Sequence, residues 1–291
     1  MSRLPNPEQG RSLWQDAWQR LRRNRAALLA MLVLAAIVFL VIAGPWLTPW
    51  SYGYIDFDGV WGAAPSFGST HWFGTDNLGR DLFARTMQGG RISLLVGLVA
   101  TLVSLVIGVA WGAIAGYYGG RIDNVMMRVV DILYAMPFMF FVILLMVLFG
   151  RHLVLIFVAI GAVNWLDMAR IVRGQTLSLR QKDFISAAVT SGLESADIIR
   201  RHIVPNLLGV VAVYTTLTIP QVILVESFLS FLGLGVQEPA TSWGMLVNDG
   251  AVTMETTPWA LIFPAAFLAV TLFCFNFIGD GLRDALDPKD R

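Results

Sequence analysis

Six long apolar runs, at about 26 to 44, 92 to 117, 125 to 149, 153 to 173, 206 to 235 and 259 to 278, alternate with polar stretches along the chain. Each is close to the roughly 20 residues that a helix needs to cross a hydrocarbon core. The pattern therefore predicts an all-α integral membrane protein with six transmembrane helices. An even number of crossings returns residues 1–25 and 280–291 to the same side. Of the 21 lysines and arginines, 17 lie in the amino-terminal stretch, the 118–128 connection, the 170–205 stretch and the carboxyl-terminal stretch. The 45–91 loop and Arg151 hold the others, and 237–257 holds none. Basic residues collect on the cytoplasmic side, so both tails are read as cytoplasmic, with 45–90 as an outside loop. The first run is too long for a signal-peptide core and no small-residue cleavage pattern follows it. It reads as an uncleaved first span.

The polar stretch between the fourth and fifth runs, DFISAAVTSGLESADIIRRHIVP at 183–205, has its own pattern. Phe184, Ala187 and Ala188 precede Gly192, and Ser195 and Asp197 stand ahead of Ile198 and Ile199. This predicts a short helix, a glycine turn and a second short helix. Ser195 suits an N-cap, Gly192 the left-handed end of the first helix, and Pro205 the close of the second. An amphipathic hairpin on the cytoplasmic side suggests a docking element.

Within the second run, Gly97, Ala100, Thr101, Ser104, Gly108, Gly112 and Gly116 recur every three or four residues. Such a face lets another helix approach closely. Pro137, Pro220 and Pro264 are expected to interrupt their helices. The loop at 45–90 is rich in Trp and Pro and then reads HWFGTDNLGRDLFARTMQGG, which suggests a short amphipathic helix on the membrane surface. Asp76, Asn77 and Asp81 there lack the acidic spacing and terminal glutamate of a calcium loop, so turn and cap roles are expected of them.

Composition agrees with the membrane reading: 56% of the 291 residues are hydrophobic and 14% charged, where soluble domains carry roughly a quarter charged residues. The net charge of +1 gives no reason to expect a nucleic-acid partner. Cys274 is the single cysteine, so no disulfide framework is available. A phosphate-binding loop needs Gly-Lys-Ser/Thr, and the only lysines, Lys182 and Lys289, are not preceded by glycine. Energy for any transport must then come from another chain. His71, His152 and His202 stand apart without a metal-ligand spacing, and no Gly-x-Ser-x-Gly elbow occurs. Neither a metal site nor a catalytic site is expected. Polar groups at membrane depth are costly and so functional by default. Asp131 and Asp167 have Arg128 and Arg170 three residues away, favouring ion pairs along one helix. Glu226, Gln221 and Asn164 remain as candidates to line a pathway or to bond a partner subunit.

The hairpin resembles the coupling motif of inner-membrane permease subunits of ATP-binding-cassette importers, Glu-Ala-Ala, three residues, Gly, nine residues, Ile-x-Leu-Pro. Ala187, Ala188, Gly192 and Pro205 fall at the required spacing, with Ser186 in place of the glutamate, His202 of the isoleucine and Val204 of the leucine. FGTDNLGRDLFAR, SFLSFLGLGVQEP with SWG, and GDGLRDALDPKDR are similar to the peptide and nickel branch, and most to C-type subunits of bacterial oligopeptide permeases. The resemblance covers nearly the whole chain. It implies the type I importer permease fold in the bacterial inner membrane, with a permease core at 91–279. It further implies a B-type permease partner, two ATPases that carry ATP and magnesium, and an extracytoplasmic peptide-binding protein. The implied coupling residues are Ser186, Ala187, Ala188, Gly192 and Pro205. Dipeptide, nickel and glutathione permeases share the branch, and composition alone also admits an ion-coupled secondary transporter.

Overall fold

The computed structural model describes residues 13–57, 59, 61–66, 68–150 and 153–286. Residues 1–12, Arg151, His152 and residues 287–291, Lys289 among them, lie outside that range. The elements are α1 (Leu13–Arg23), α2 (Arg25–Leu47), α3 (Leu82–Tyr118), α4 (Gly120–Ala135), α5 (Phe138–Phe149), α6 (Leu153–Arg180), α7 (Asp183–Thr190), α8 (Ser195–Ile198), α9 (Val204–Phe231), α10 (Trp243–Val252) and α11 (Trp259–Leu286). A π-helical turn, Ile199–Ile203, joins α8 to α9.

Among the described residues, four helices are long and apolar enough to cross a membrane: α2, α3, the continuous rod Ser195–Phe231, and α11. A fifth crossing results if α4 and α5 form one span, bent by 84°. The bend falls at Met136 and Pro137, where the proline removes a donor and excludes the preceding residue from the helical region. The fourth apolar run lies on α6, which continues past the predicted end at residue 173 to Arg180. Pro220 and Pro264, by contrast, sit inside the unbroken helices α9 and α11.

The small-residue face of α3 packs on α6 and α9. A Cβ on Gly112 would stand 2.5 Å from the Ala169 carbonyl oxygen and 2.8 Å from Val172 Cβ, so only glycine permits this approach. Gly108 and Gly116 meet α6 in the same way, and Gly97 meets Ile223 of α9. This close seam replaces the hydrophobic drive that water would supply in a soluble core.

The predicted surface helix before the second span is absent. Residues from Leu82 onward form the first turns of α3 itself, and Leu82, Phe83, Ala84, Arg85, Thr86 and Met87 are all buried. Asp81 starts the helix by accepting a 2.6 Å hydrogen bond from the Ala84 amide. The burial has a cause in the chain's far end: Trp243 of α10 is fully buried and donates its indole N–H to the Thr86 carbonyl, 2.9 Å away.

Candidate functional site

The hairpin has the predicted helix, turn and helix order, with different ends. The Leu193 amide donates to the Ala188 carbonyl and the Gly192 amide to the Val189 carbonyl, the paired bonds of a Schellman cap. Gly192 occupies its left-handed position at φ +78°. Glu194, not Ser195, is the N-cap residue of α8, and Ser195 is the first helical position. Nor does Pro205 close a helix. It stands in the first turn of α9, where its missing N–H is tolerated, and the preceding π turn carries the backbone through without a break. The second arm of the hairpin is thus the end of a 37-residue rod, Ser195–Phe231.

The implied coupling residues divide between two faces. Ser186, Ala187, Gly192 and Pro205 are exposed, together with Phe184 and Val189. Ala188 is buried with Ile185, Ile198, Ile203 and Leu207 against Ala113 of α3 and Met168 and Val172 of α6. Ala188 therefore anchors the hairpin to its own bundle rather than facing outward. Two ion pairs brace the same end. Arg173 of α6 forks onto both oxygens of Asp123 in α4, at 2.5 and 2.6 Å, and Arg170 bonds Asp131 at 2.9 Å while its guanidinium lies 4.2 Å from the Tyr134 ring centre. These bonds run between helices, where sequence spacing suggested pairs within one. The reason is geometric, since α4 lies beside α6 and Asp131 faces it. Asp167 is exposed.

The intramembrane candidates separate just as clearly. Glu226 is fully buried, accepts 2.7 Å and 3.1 Å hydrogen bonds from the Ser230 and Ser93 hydroxyls, and so ties α9 to α3. Ser242 extends the network to Ser230, and the Trp243 amide donates to Ser93. Glu226 is thus bonded within its own chain, and Ser230, four residues on, is its helix-local partner. Asn164 turns its amide back to the Ile160 carbonyl at 2.8 Å. Gln221 remains exposed, on one stripe with Leu224 and Phe228.

A charged cluster at the opposite end escaped the sequence reading. Arg85 is 1% exposed and faces Asp76 at 3.5 Å, Asp249 at 3.6 Å and Glu238 at 3.9 Å, while Arg80 bonds Asp76 and Glu238 at 2.7 Å each. Asp76 also accepts from the Leu78 and Arg80 amides, and Asn77 accepts from the Thr257 hydroxyl, so these residues do serve as turn and clamp. Only Asp76, Arg80 and Arg85 are close in sequence; Glu238 and Asp249 arrive by folding. The Arg80 hydrogen bond holds the Glu238 carboxyl below its ordinary range, whereas burial pushes Asp249 up despite the attraction of Arg85. A depressed carboxyl contributes stability above its unfolded pKa and loses it as pH falls through the folded value. Glu238 should therefore stay latched at neutral pH and release only below the usual glutamate range of about 4.3. Thermal melts of the wild type against Glu238→Gln across pH 3 to 7 should converge at the acid end; a constant gap would show that the latch is not ionic.

Residues 108–291 match the family described as binding-protein-dependent transport system inner membrane component, and residues 12–65 match the N-terminal transmembrane domain of oligopeptide transport permease C. The chain belongs to this permease family. Similar proteins include the oligopeptide transport system permease protein OppC of Haemophilus influenzae, 58% identical over 97% of this chain and 91% of that protein, and OppC of Escherichia coli K12, 60% identical over 97% and 93%. A dipeptide transport system permease, DppC of Bacillus subtilis, is 47% identical over 96% and 87%. A solved inward-facing structure of the MetNI methionine ABC transporter, 17% identical, superposes with a TM-score of 0.56 over 68% of this chain and 94% of its own. The permease thus has the type I importer fold and is a multi-pass inner-membrane protein.

Proposed function

We propose that this permease forms half of the translocation pathway of an ATP-driven oligopeptide importer, paired with a B-type permease, driven by two separate ATPases and fed by an extracytoplasmic peptide-binding protein. The observation that carries this reading is the hairpin's attachment. Its exposed face, Phe184, Ser186, Ala187 and Val189, sits on a helix joined by the Gly192 turn to the Ser195–Phe231 rod. Movement of a motor protein bound there is delivered directly to α9 and, through Glu226, Ser93 and Ser242, to α3 and α10 at the other end. A two-state bundle biased from both ends couples the two sites. The exposed stripe of Gln221, Leu224 and Phe228 on the same rod is the face we assign to the pathway and the partner permease.

The names of the two relatives near 60% identity support an oligopeptide cargo. The test is uptake of a labelled tetrapeptide by cells that rely on this permease, with unlabelled dipeptide and longer peptides as competitors. Uptake should stop on ATP depletion and persist with an uncoupler while ATP is maintained. Loss with the uncoupler alone would favour an ion-coupled carrier, and competition by dipeptide alone would move the cargo to the shorter class.

A further inference from the structure

The exposed faces of the long helices are not alike. On α2, Leu29, Leu32, Phe39 and Ile42 are exposed, and on α5, Phe140, Val147 and Leu148, all side chains that suit hydrocarbon. On α6, Asn164, Asp167, Ile171, Gly174 and Ser178 recur every three or four residues and so share one side of the helix. Asp167, Gly174 and Ser178 are exposed, and Asn164 is partly exposed. A Cβ on Gly174 would meet nothing within 4 Å, so this side stands open within the chain. Its depth follows from the seam with α3. A Cβ on Gly108 would lie 2.6 Å from Met168 Cβ and 2.9 Å from the Trp165 carbonyl oxygen, which puts Asp167 level with Gly108. Gly108 stands about ten residues, or about 15 Å, before the end of α3 at Tyr118. That is well inside a span, where a carboxylate is costly unless it is paired or wet. Asp167 has no hydrogen bond or ion pair among the described residues. The two arginines that follow it on α6 point elsewhere, Arg170 to Asp131 and the Tyr134 ring, Arg173 to Asp123.

We infer that this side of α6 is a wetted wall of the translocation pathway, and that Asp167 receives the ammonium group of the peptide cargo as it passes. The inference rests on the reading of the chain as the permease of a peptide importer. Lipid tails do not solvate a bare carboxylate, so the medium facing Asp167 is water or a donor that arrives from outside the chain. An unpaired carboxylate takes a cation, and the α-ammonium is the cation that peptides of every sequence with a free amino end carry. A charge-assisted hydrogen bond of that kind holds a peptide without reading its side chains. Asn164 above and Ser178 below offer neutral polar groups along the same side, which keep the wall wet without trapping charge.

The wall is tested on the assembled transporter in inside-out membrane vesicles with a membrane-impermeant maleimide. Wild type gives the blank, because its single Cys274 is buried. Asp167→Cys and Ser178→Cys should label, whereas Phe39→Cys, 67% exposed on the apolar side of α2, should not. Silence at both α6 positions in every nucleotide state would give this side to the partner permease or to lipid and overturn the wall. Equal labelling of Phe39→Cys would overturn it too, by removing the contrast between the two faces. If Asp167→Cys does not accumulate, Ser178→Cys decides. The cargo contact is tested by uptake of a labelled tetrapeptide in cells, normalised to the permease present in the membrane. Asp167→Asn should lower uptake by on the order of tenfold, as expected for the loss of one charge-assisted hydrogen bond. Asp167→Glu keeps the charge and should recover most of it. Wild-type uptake by Asp167→Asn, or equal losses in the two variants, would overturn the ammonium contact. ATP depletion separates the two levels: wild-type uptake that survives it sinks the importer reading and this inference together, whereas ATP-driven uptake that Asp167→Asn leaves unchanged sinks this inference alone.

Discussion

Replacing Gly192 with valine should cut peptide uptake about tenfold or more while the permease still accumulates in the membrane. A Cβ at Gly192 would meet no atom within 4 Å, so the penalty is not a clash. It is the backbone, since φ +78° is left-handed and costs an L-residue about 1–2 kcal/mol, most for a β-branched side chain. A strain of that size shifts a local equilibrium roughly tenfold, and it acts on a hairpin whose outer face has no support inside the chain. The buried anchors Ile185, Ala188 and Ile198 should keep the bundle folded. Gly192→Asn, which tolerates the left-handed region, should recover most uptake. Co-purification of the ATPases, measured beside uptake for both variants, reads the coupling step directly. Normal uptake with valine would sink the coupling role, and failure of both variants alike would mean that an outside partner presses against the bare glycine.

Glu226→Leu should destabilise the permease by about 2–4 kcal/mol, because the Ser93 and Ser230 hydroxyls lose their acceptor in a site without water access. That exceeds the roughly 0.6 kcal/mol typical of one interhelical hydrogen bond in a membrane, since the leucine leaves several groups of one network unpaired. Glu226→Gln keeps an acceptor oxygen and the shape, and should stay within about 1 kcal/mol of wild type with uptake intact. Melting curves of the purified variants separate the two, the leucine variant lying roughly 5–10 °C lower. A glutamine variant that melts normally but transports poorly would restore a pathway role for this residue.

The hairpin and the network differ in how far the sequence reveals them. Helix, turn and helix at 183–205 follow from local rules: Gly192 at the cap, apolar residues at helical spacing, and polar flanks. Its ends did not, because the π turn that carries the chain past Pro205 makes the second arm part of α9, and that continuity depends on Ile198, Ile203 and Leu207 packing against α3 and α6. Pro137 follows the end of α4 as expected, yet Pro220 and Pro264 lie buried inside helices that run on past them. The expected surface helix gives way to the first turns of α3 for a similar reason. HWFGTDNLGRDLFARTMQGG has mixed polarity, but its Arg85 lies 3.5 to 3.9 Å from the carboxylates of Asp76, Asp249 and Glu238 and its Thr86 carbonyl accepts from Trp243, which offsets part of the cost of burying the segment.

By itself the sequence determined the membrane class, the order of apolar runs, the close-packing face of α3 and the position of the hairpin turn. All of these depend on residues within a few turns of one another, or on their summed hydropathy. The tertiary structure alone decided what each polar group does. Glu226 is a clamp because Ser93 lies 133 positions before it in the chain, Asp131 pairs with Arg170 across two helices, and Ala188 faces inward while Ser186 and Ala187 face out. A carboxylate at membrane depth needs donors wherever the chain can supply them, and which donors reach it is fixed only when the helices pack.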